Sequence, residues 1–340
     1  MQFVCKNCFC DKEIVGFIIS QGNLGNCNYC NSNNIEIIEF EEFLDFFKEL
    51  FGNFQIKQNG KSLISQIQDN WNLFSNLECG HKILNEALNI TQNIINNSEE
   101  IVDFSEDILE NINYWSKLKE QLKWEKRYFT NIELLTLDLG WDAFFESKTL
   151  IKDDETYYRA RLHENPEEEI YPLDKMSSPP ARYATAGRAN PIGIPYLYLS
   201  DNEETILYEI RASYLDEISV ATFTKNEEYK KELIISDFTE SPTLYHPNEV
   251  NKKIKSTLLK QLISRDLSKP MRRYDSELDY IPTQFICEFI KIFTNVQGIK
   301  FKSSLHNAGS NLVLFNSGTM KCRNVKKVQI SNVQISGIDI

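Results

Sequence analysis

Two cysteine pairs are the first residues in this chain whose type and spacing could do chemistry. Cys5-x-x-Cys8 and Cys27-x-x-Cys30 put two thiols on each of two tight turns, with eighteen residues between the pairs. Thiolates at that spacing form a tetrahedral sulfur cage for Zn²⁺, and four protein sulfurs leave no open position for a reacting water. The zinc expected on Cys5, Cys8, Cys27 and Cys30 is therefore structural, a staple for a segment too short to bury a core of its own. Cys10 reads as a neighbour of the cage. Cys79 and His81 form a lone pair without partners, Cys287 lies in an apolar run, and Cys322 has no assigned role. Eight cysteines in 340 residues, five of them in the first thirty, suit a metal better than a disulfide framework.

A second set of candidates lies in the other half of the chain. Arg159 and Arg161 alternate with alanine in Tyr158-Arg159-Ala160-Arg161, so both can face one side of a strand. Arg182 and Arg188 flank the small residues Ala184-Thr185-Ala186-Gly187, which precede Asn190-Pro191. Forked guanidinium donors beside a loop of small residues suit an anionic ligand such as a pyrophosphate. Taken one at a time, each arginine reads better as a surface ion pair with one of the many carboxylates. No phosphate-binding P-loop and no G-x-G-x-x-G turn occurs, and His81, His163, His246 and His306 fall in no nucleophilic motif.

These residues need elements to position them, and the chain divides into three textures. Residues 1–40 hold the knuckles, in loops rich in asparagine, with a net charge of −2. Residues 41–150 carry 10 basic and 19 acidic residues and read as helical. Phe40, Phe43, Leu44, Phe47, Leu50 and Phe51 form one apolar stripe, and Ile64, Ile67, Trp71 and Phe74 another. Residues 151–340 alternate short β-branched and aromatic runs with helices, which predicts an α+β domain. The expected strands include 195–199, 218–223 and 312–315; the expected helices are Glu203 to Tyr214 and Thr283 to Phe293.

The overall charge of −12 gives no electrostatic reason to bind nucleic acid, which is disfavoured as a partner. No apolar run approaches the roughly 18 residues needed to span a bilayer. The beginning of the chain carries no basic leader, so the expected location is cytoplasmic, with no membrane partner.

Several pieces of the second half, in order, resemble the RES domain family, named for its Arg, Glu and Ser residues. They are Gly187-Arg188-Ala189-Asn190-Pro191-x-Gly193, Tyr196-Leu197-Tyr198-Leu199-Ser200 and Leu207-Tyr208-Glu209-Ile210. Gly298 to Ser303, followed by Asn311-Leu312-Val313-Leu314-Phe315, is similar to that family's serine segment. The likeness spans most of 155–330. Residues 1–150 are similar to the HEPN/RES-type amino-terminal region attached to some RES proteins. The resemblance implies an ADP-ribosyltransferase-like fold that consumes NAD⁺, as toxins of toxin–antitoxin pairs do, with an antitoxin or regulatory protein as partner.

By motif, the resemblance makes Arg159, Glu209 and Ser303 the catalytic candidates, with Ser304 as the alternative serine. Arg188 and Tyr198 join Arg159 and Ser303 as NAD-binding candidates, and Gln284 and Glu288 stand behind them. The sequence departs from the family at Ala189, where many relatives carry tryptophan, and at Ala160, where some carry an aromatic residue. The implied activity is cleavage of the nicotinamide–ribose bond with water or phosphate as acceptor. The alternatives are transfer of ADP-ribose to protein, or a zinc-ribbon adaptor that binds a nucleotide without cleaving it.

Overall fold

The structure is a computed structural model that describes residues 1–147, 149–165, 168–270, 277–306 and 308–333. Its contacts divide into two compact units, Met1–Lys117 with Glu240–Lys260, and Leu118–Thr239 with Gln261–Ile340. No helix among the described residues is long and apolar enough to cross a membrane.

In the first unit a small antiparallel sheet orders its strands β1 (Phe3–Cys5), β3 (Ile35–Glu39) and β2 (Asn23–Gly25), with helix α1 (Lys12–Gln21) beside it. Helices α2 (Leu44–Phe51), α3 (Leu63–Trp71) and α4 (Leu77–Thr91) carry the expected stripes inward, and Phe40, Phe43, Phe47, Leu50 and Phe51 are almost wholly buried. One apolar core runs from Val4 and Cys8 through these helices to Leu258, so the knuckle and the helices share it. The middle region is less purely helical than its periodicity predicts. Strands β4 (Phe54–Ser62) and β5 (Ile101–Phe104) pair antiparallel, with Phe54 opposite Phe104 and Ile56 opposite Val102. Burial alternates along β5, the two-residue period of a half-buried strand, and this short signal is submerged among the helical stripes.

Two buried or half-buried carboxylates bring the segment after Glu240 into this unit. Asp11, 3% exposed, accepts the first free N–H groups of α1, from Glu13 (2.9 Å) and Ile14 (3.2 Å). Its second oxygen accepts the N–H groups of Leu244 (2.6 Å) and Tyr245 (3.3 Å). Glu49 does the same for the helix that begins at Val250, accepting from Asn248 N (2.9 Å) and Val250 N (2.8 Å). Both carboxylates satisfy N–H groups that helix starts and turns leave without partners.

The second unit is built on a mixed sheet of eight strands among the described residues, in the order β13–β9–β7–β8–β12–β11–β10–β6. They are β6 (Thr149–Leu150), β7 (Tyr157–Leu162), β8 (Leu197–Ser200), β9 (Glu217–Lys225), β10 (Ile234–Asp237), β11 (Gly298–Lys302), β12 (Ser310–Leu314) and β13 (Met320–Gln329). Among the described residues, only β10 and β11 run parallel. Helices α5 (Glu106–Trp124) and α8 (Val250–Ser268) carry the chain from one unit into the other, and α6 (Trp141–Phe145), α7 (Glu203–Glu209) and α9 (Ile281–Phe293) complete the unit. The expected strands and α9 are present. The helix expected to reach Tyr214 ends at Glu209, because Arg211 takes a left-handed backbone (φ 55°) and Ala212 N bonds back to Leu207 O.

Asp11 offers a direct test of the first unit. Asp11→Ala strips acceptors from four N–H groups in a buried place and should cost about 3 kcal/mol in urea denaturation. Asp11→Asn, which keeps one acceptor oxygen, should cost less. A loss below about 1 kcal/mol for Asp11→Ala would show that water satisfies those groups instead.

Candidate functional site

Strand β8 is the backbone of the site, and its two neighbours treat it differently. β12 pairs with it along four residues, Asn311 opposite Ser200 through Leu314 opposite Leu197. β7 pairs with it at one position, Tyr158 opposite Ser200, while pairing with β9 along six. The strands β7 and β8 therefore part beyond that point. A side chain fills the opening: Arg159 Nη1 donates to the carbonyl oxygen of Tyr198 at 3.1 Å.

Arg159 is the most unusual charge in this unit. Its Nε is buried with no hydrogen-bond partner, and no carboxylate lies within ion-pair distance of it among the described residues. Burial pulls its pKa down to about 10, and the nearby Arg161 adds to the effect. Arg161, on the same strand, is occupied elsewhere: Nη1 donates to Lys175 O at 2.6 Å and the guanidinium lies 4.8 Å from the Tyr171 ring centre.

Two residues further along β8, about 7 Å at strand rise, a hydrogen-bond chain begins. Ser200 Oγ donates to Asn311 Oδ1 (2.8 Å), and Asn311 Nδ2 donates to Glu209 Oε1 (2.7 Å). Ser303 Oγ donates to the same Glu209 oxygen at 2.7 Å. Glu209 is the last residue of α7, and the Asn202 side chain caps the other end of that helix by accepting Thr205 N at 2.8 Å. Ser303 follows β11, where the chain turns back toward β12. That turn is held against α7 by His306 Nδ1, 2.7 Å from Thr205 Oγ1, and by the stacking of His306 on Tyr208 with ring centres 5.1 Å apart. A Cβ at Gly309 would land on Thr205 Oγ1, so only glycine lets the turn approach this closely.

The remaining candidates stand apart from the Glu209 cluster. Tyr198 donates its hydroxyl proton to Asn190 Oδ1 (2.7 Å) and accepts Ala189 N–H (3.1 Å), so its hydroxyl is committed to the Gly187–Asn190 turn. Burial pushes its pKa well above the ordinary phenol value. At Gly187 a Cβ would come 2.7 Å from that hydroxyl. Gln284 Nε2 holds the same turn through Gly187 O (2.8 Å) and Asn190 O (3.0 Å), so its work is structural support. Arg188 Nη1 donates to Leu267 O at 2.8 Å, near the end of α8. Among the described residues, no hydrogen bond joins Arg188 or the Tyr198 hydroxyl to Glu209 or Ser303.

Sequence reasoning did not single out Asn311, Ser200 or the Thr205–His306 contact. The available signal was an amide heading the apolar run Leu312–Phe315, paired with a serine closing the run Leu197–Leu199. A Ser–His–Glu series also went unnoticed: Ser219 Oγ lies 2.8 Å from His163 Nε2, and His163 Nδ1 lies 3.3 Å from Glu168. Ser219 is wholly buried and accepts Tyr171 N–H at 3.1 Å, so this group latches a loop to β9 and offers no accessible nucleophile.

In the first unit the four predicted cysteine ligands converge. Sulfur separations are 3.8 Å for Cys5–Cys8, 3.4 Å for Cys5–Cys30 and 3.5 Å for Cys8–Cys27. A tetrahedron with 2.3 Å arms has edges of about 3.8 Å, and the four ligand atoms all lie within 4.8 Å of one another. The neighbouring Cys5 and Cys8 thiols shift the Cys27 pKa downward from its ordinary value. This largely buried cluster could hold a zinc ion. Cys79 is buried beside it, against Cys8.

No curated protein and no solved structure matches the chain. A family model for the RES domain matches residues 156–335, just over half of the chain and the whole span from β7 through β13. It takes in Arg159, Glu209 and Ser303 together, and the chain therefore belongs to the RES domain family, whose members are generally associated with NAD-utilising enzymatic activity.

Proposed function

We propose that the chain is an NAD⁺-consuming enzyme, a toxin or defence effector, that breaks the bond between nicotinamide nitrogen and ribose C1′. The observation that carries this reading is Arg159. A largely desolvated guanidinium without a counter-ion is costly, and a pyrophosphate bound against Arg159 would supply the missing negative charge. Glu209, the last residue of α7, is linked to Ser200 of β8 through Asn311 and is held by donors on one oxygen.

In the proposed reaction the N-glycosidic electron pair leaves with nicotinamide, which departs neutral, and positive charge develops over C1′ and the ring oxygen. Glu209 stabilises that charge and accepts a hydrogen bond from a ribose hydroxyl, contacts that strengthen toward the transition state. An oxygen of water or phosphate then bonds to C1′; where water is the acceptor, its proton passes to bulk solvent. Arg159 anchors the pyrophosphate. Arg188 plays a smaller part, since it must exchange its bond to Leu267 O before it meets a ligand. The Tyr198 ring borders the site while its hydroxyl keeps the Gly187–Asn190 turn in shape. Ser303 acts on Glu209 and, through it, on the substrate. The ADP-ribosyltransferase-like fold belongs to this same proposal and rests on the family resemblance. An enzyme that depletes NAD⁺ endangers its host, so an antitoxin or regulatory protein is the partner this activity calls for.

The proposed role of the cysteine cluster is to hold one structural Zn²⁺ through Cys5, Cys8, Cys27 and Cys30. The sulfur separations support it, and four thiolates leave the metal no reactive position.

Three outcomes follow. Glu209→Gln keeps size and removes charge, so NAD⁺ loss should slow by about 10²–10³-fold while NAD⁺ binding survives. A variant as fast as the parent, with the same melting temperature, removes Glu209 from the chemistry. Arg159→Ala should weaken NAD⁺ binding as well as turnover by at least about tenfold, measured by calorimetry. Unchanged affinity would mean that the ligand's charge lies elsewhere. Metal analysis should find one zinc per chain, lost in Cys8→Ser together with roughly 10 °C of melting temperature; full zinc retention in that variant contradicts the assignment.

A further inference from the structure

The hydrogen bonds around Glu209 give its two carboxylate oxygens different tasks. Oε1 accepts from Ser303 Oγ and from Asn311 Nδ2, each at 2.7 Å. Oε2 has no hydrogen bond among the described residues. Ser303 cannot turn away from this arrangement. Its oxygen accepts the backbone N–H groups of Leu305 (3.2 Å) and His306 (3.1 Å), so both acceptor positions are filled and its proton has one place to go.

Asn311 is fixed by comparable means. Ser200, wholly buried and directly opposite Asn311 in the β8–β12 register, donates to Asn311 Oδ1 at 2.8 Å. That bond turns the oxygen end of the amide toward β8 and the nitrogen end toward the carboxylate. Charged groups on the flanking elements have other partners: Asp201 accepts Ser310 N (2.9 Å), His306 lies on Thr205 Oγ1 (2.7 Å) and near Glu204 (3.8 Å), and Glu203 pairs with Lys326 (2.8 Å).

We infer that Asn311, oriented by Ser200, is a positioning residue of the active site. Together with Ser303 it grips Oε1, so that Oε2 is the oxygen presented to the ribose. The catalytic consequence rests on the NAD⁺-cleaving reading above; the grip itself rests on geometry alone. A residue that merely fills space and one that donates a proton are separable by substitution. Aspartate has nearly the shape of asparagine but sets a second carboxylate against Glu209, whereas alanine only removes the donor.

The test compares Asn311→Asp and Asn311→Ala with the full-length parent for NAD⁺ loss, with melting curves as the folding control. Positioning predicts that Asn311→Ala lowers kcat about 10- to 100-fold with KM within about threefold, the scale of a hydrogen bond to a charged group. Asn311→Asp should be slower still. Aspartate tolerated better than alanine, or an alanine variant with parental kcat, overturns the inference. If the parent itself leaves NAD⁺ intact, the activity reading fails separately, and the grip is read by NMR. The Asn311 side-chain amide signals, identified by their loss in Asn311→Asp, should then move in both Glu209→Ala and Ser200→Ala. Signals unmoved in both variants overturn the inference regardless of activity.

Discussion

A carboxylate at the end of a short helix has to be held if it is to meet a substrate in one orientation, and here one oxygen of Glu209 accepts hydrogen bonds from two elements at once. Ser303 reaches it from the turn after β11, and Asn311 reaches it from the first half of β12. Much of the surrounding architecture is needed for those two contacts. The β8–β12 register brings Ser200 opposite Asn311. Gly309 lets the turn lie against Thr205, and His306 fastens it there. The early end of α7, set by the left-handed Arg211, leaves Glu209 at the helix terminus rather than in its middle.

The second feature is an imbalance left in place. The first unit buries charge with care: Asp11 meets four N–H groups and Glu49 two. Arg159 is treated differently, with one bond to a carbonyl and a buried Nε that has no partner. The contrast between these carboxylates and Arg159 is what the proposed anionic ligand rests on.

What could be read from the sequence is what depends on nearby residues. The Cys-x-x-Cys turns are local, so their spacing foretold the convergence of four sulfurs. The apolar runs of β8, β9 and β12 announced themselves by composition, and the order of motifs carried the family. Other features depend on partners far along the chain. Nothing local to Leu244 indicates that its N–H will meet Asp11, 233 residues away, and so return 240–260 to the first unit. Arg188 and Tyr198 were grouped with Glu209 by motif order, yet their polar atoms serve the Gly187–Asn190 turn and the end of α8. Asn311 was passed over because a single amide at the head of a strand looks ordinary until its neighbour across the sheet is known.

The claim at the centre of this account is that the chain cleaves NAD⁺ between nicotinamide and ribose. Proton NMR of NAD⁺ incubated with the full-length protein, in buffers with and without phosphate, reads it most directly. The account predicts signals of free nicotinamide growing as those of NAD⁺ fall, with ADP-ribose as co-product in water or its 1″-phosphate where phosphate is the acceptor. NAD⁺ signals that stay constant in both buffers at high protein concentration, while calorimetry records binding, would contradict it and leave a nucleotide-binding protein in its place.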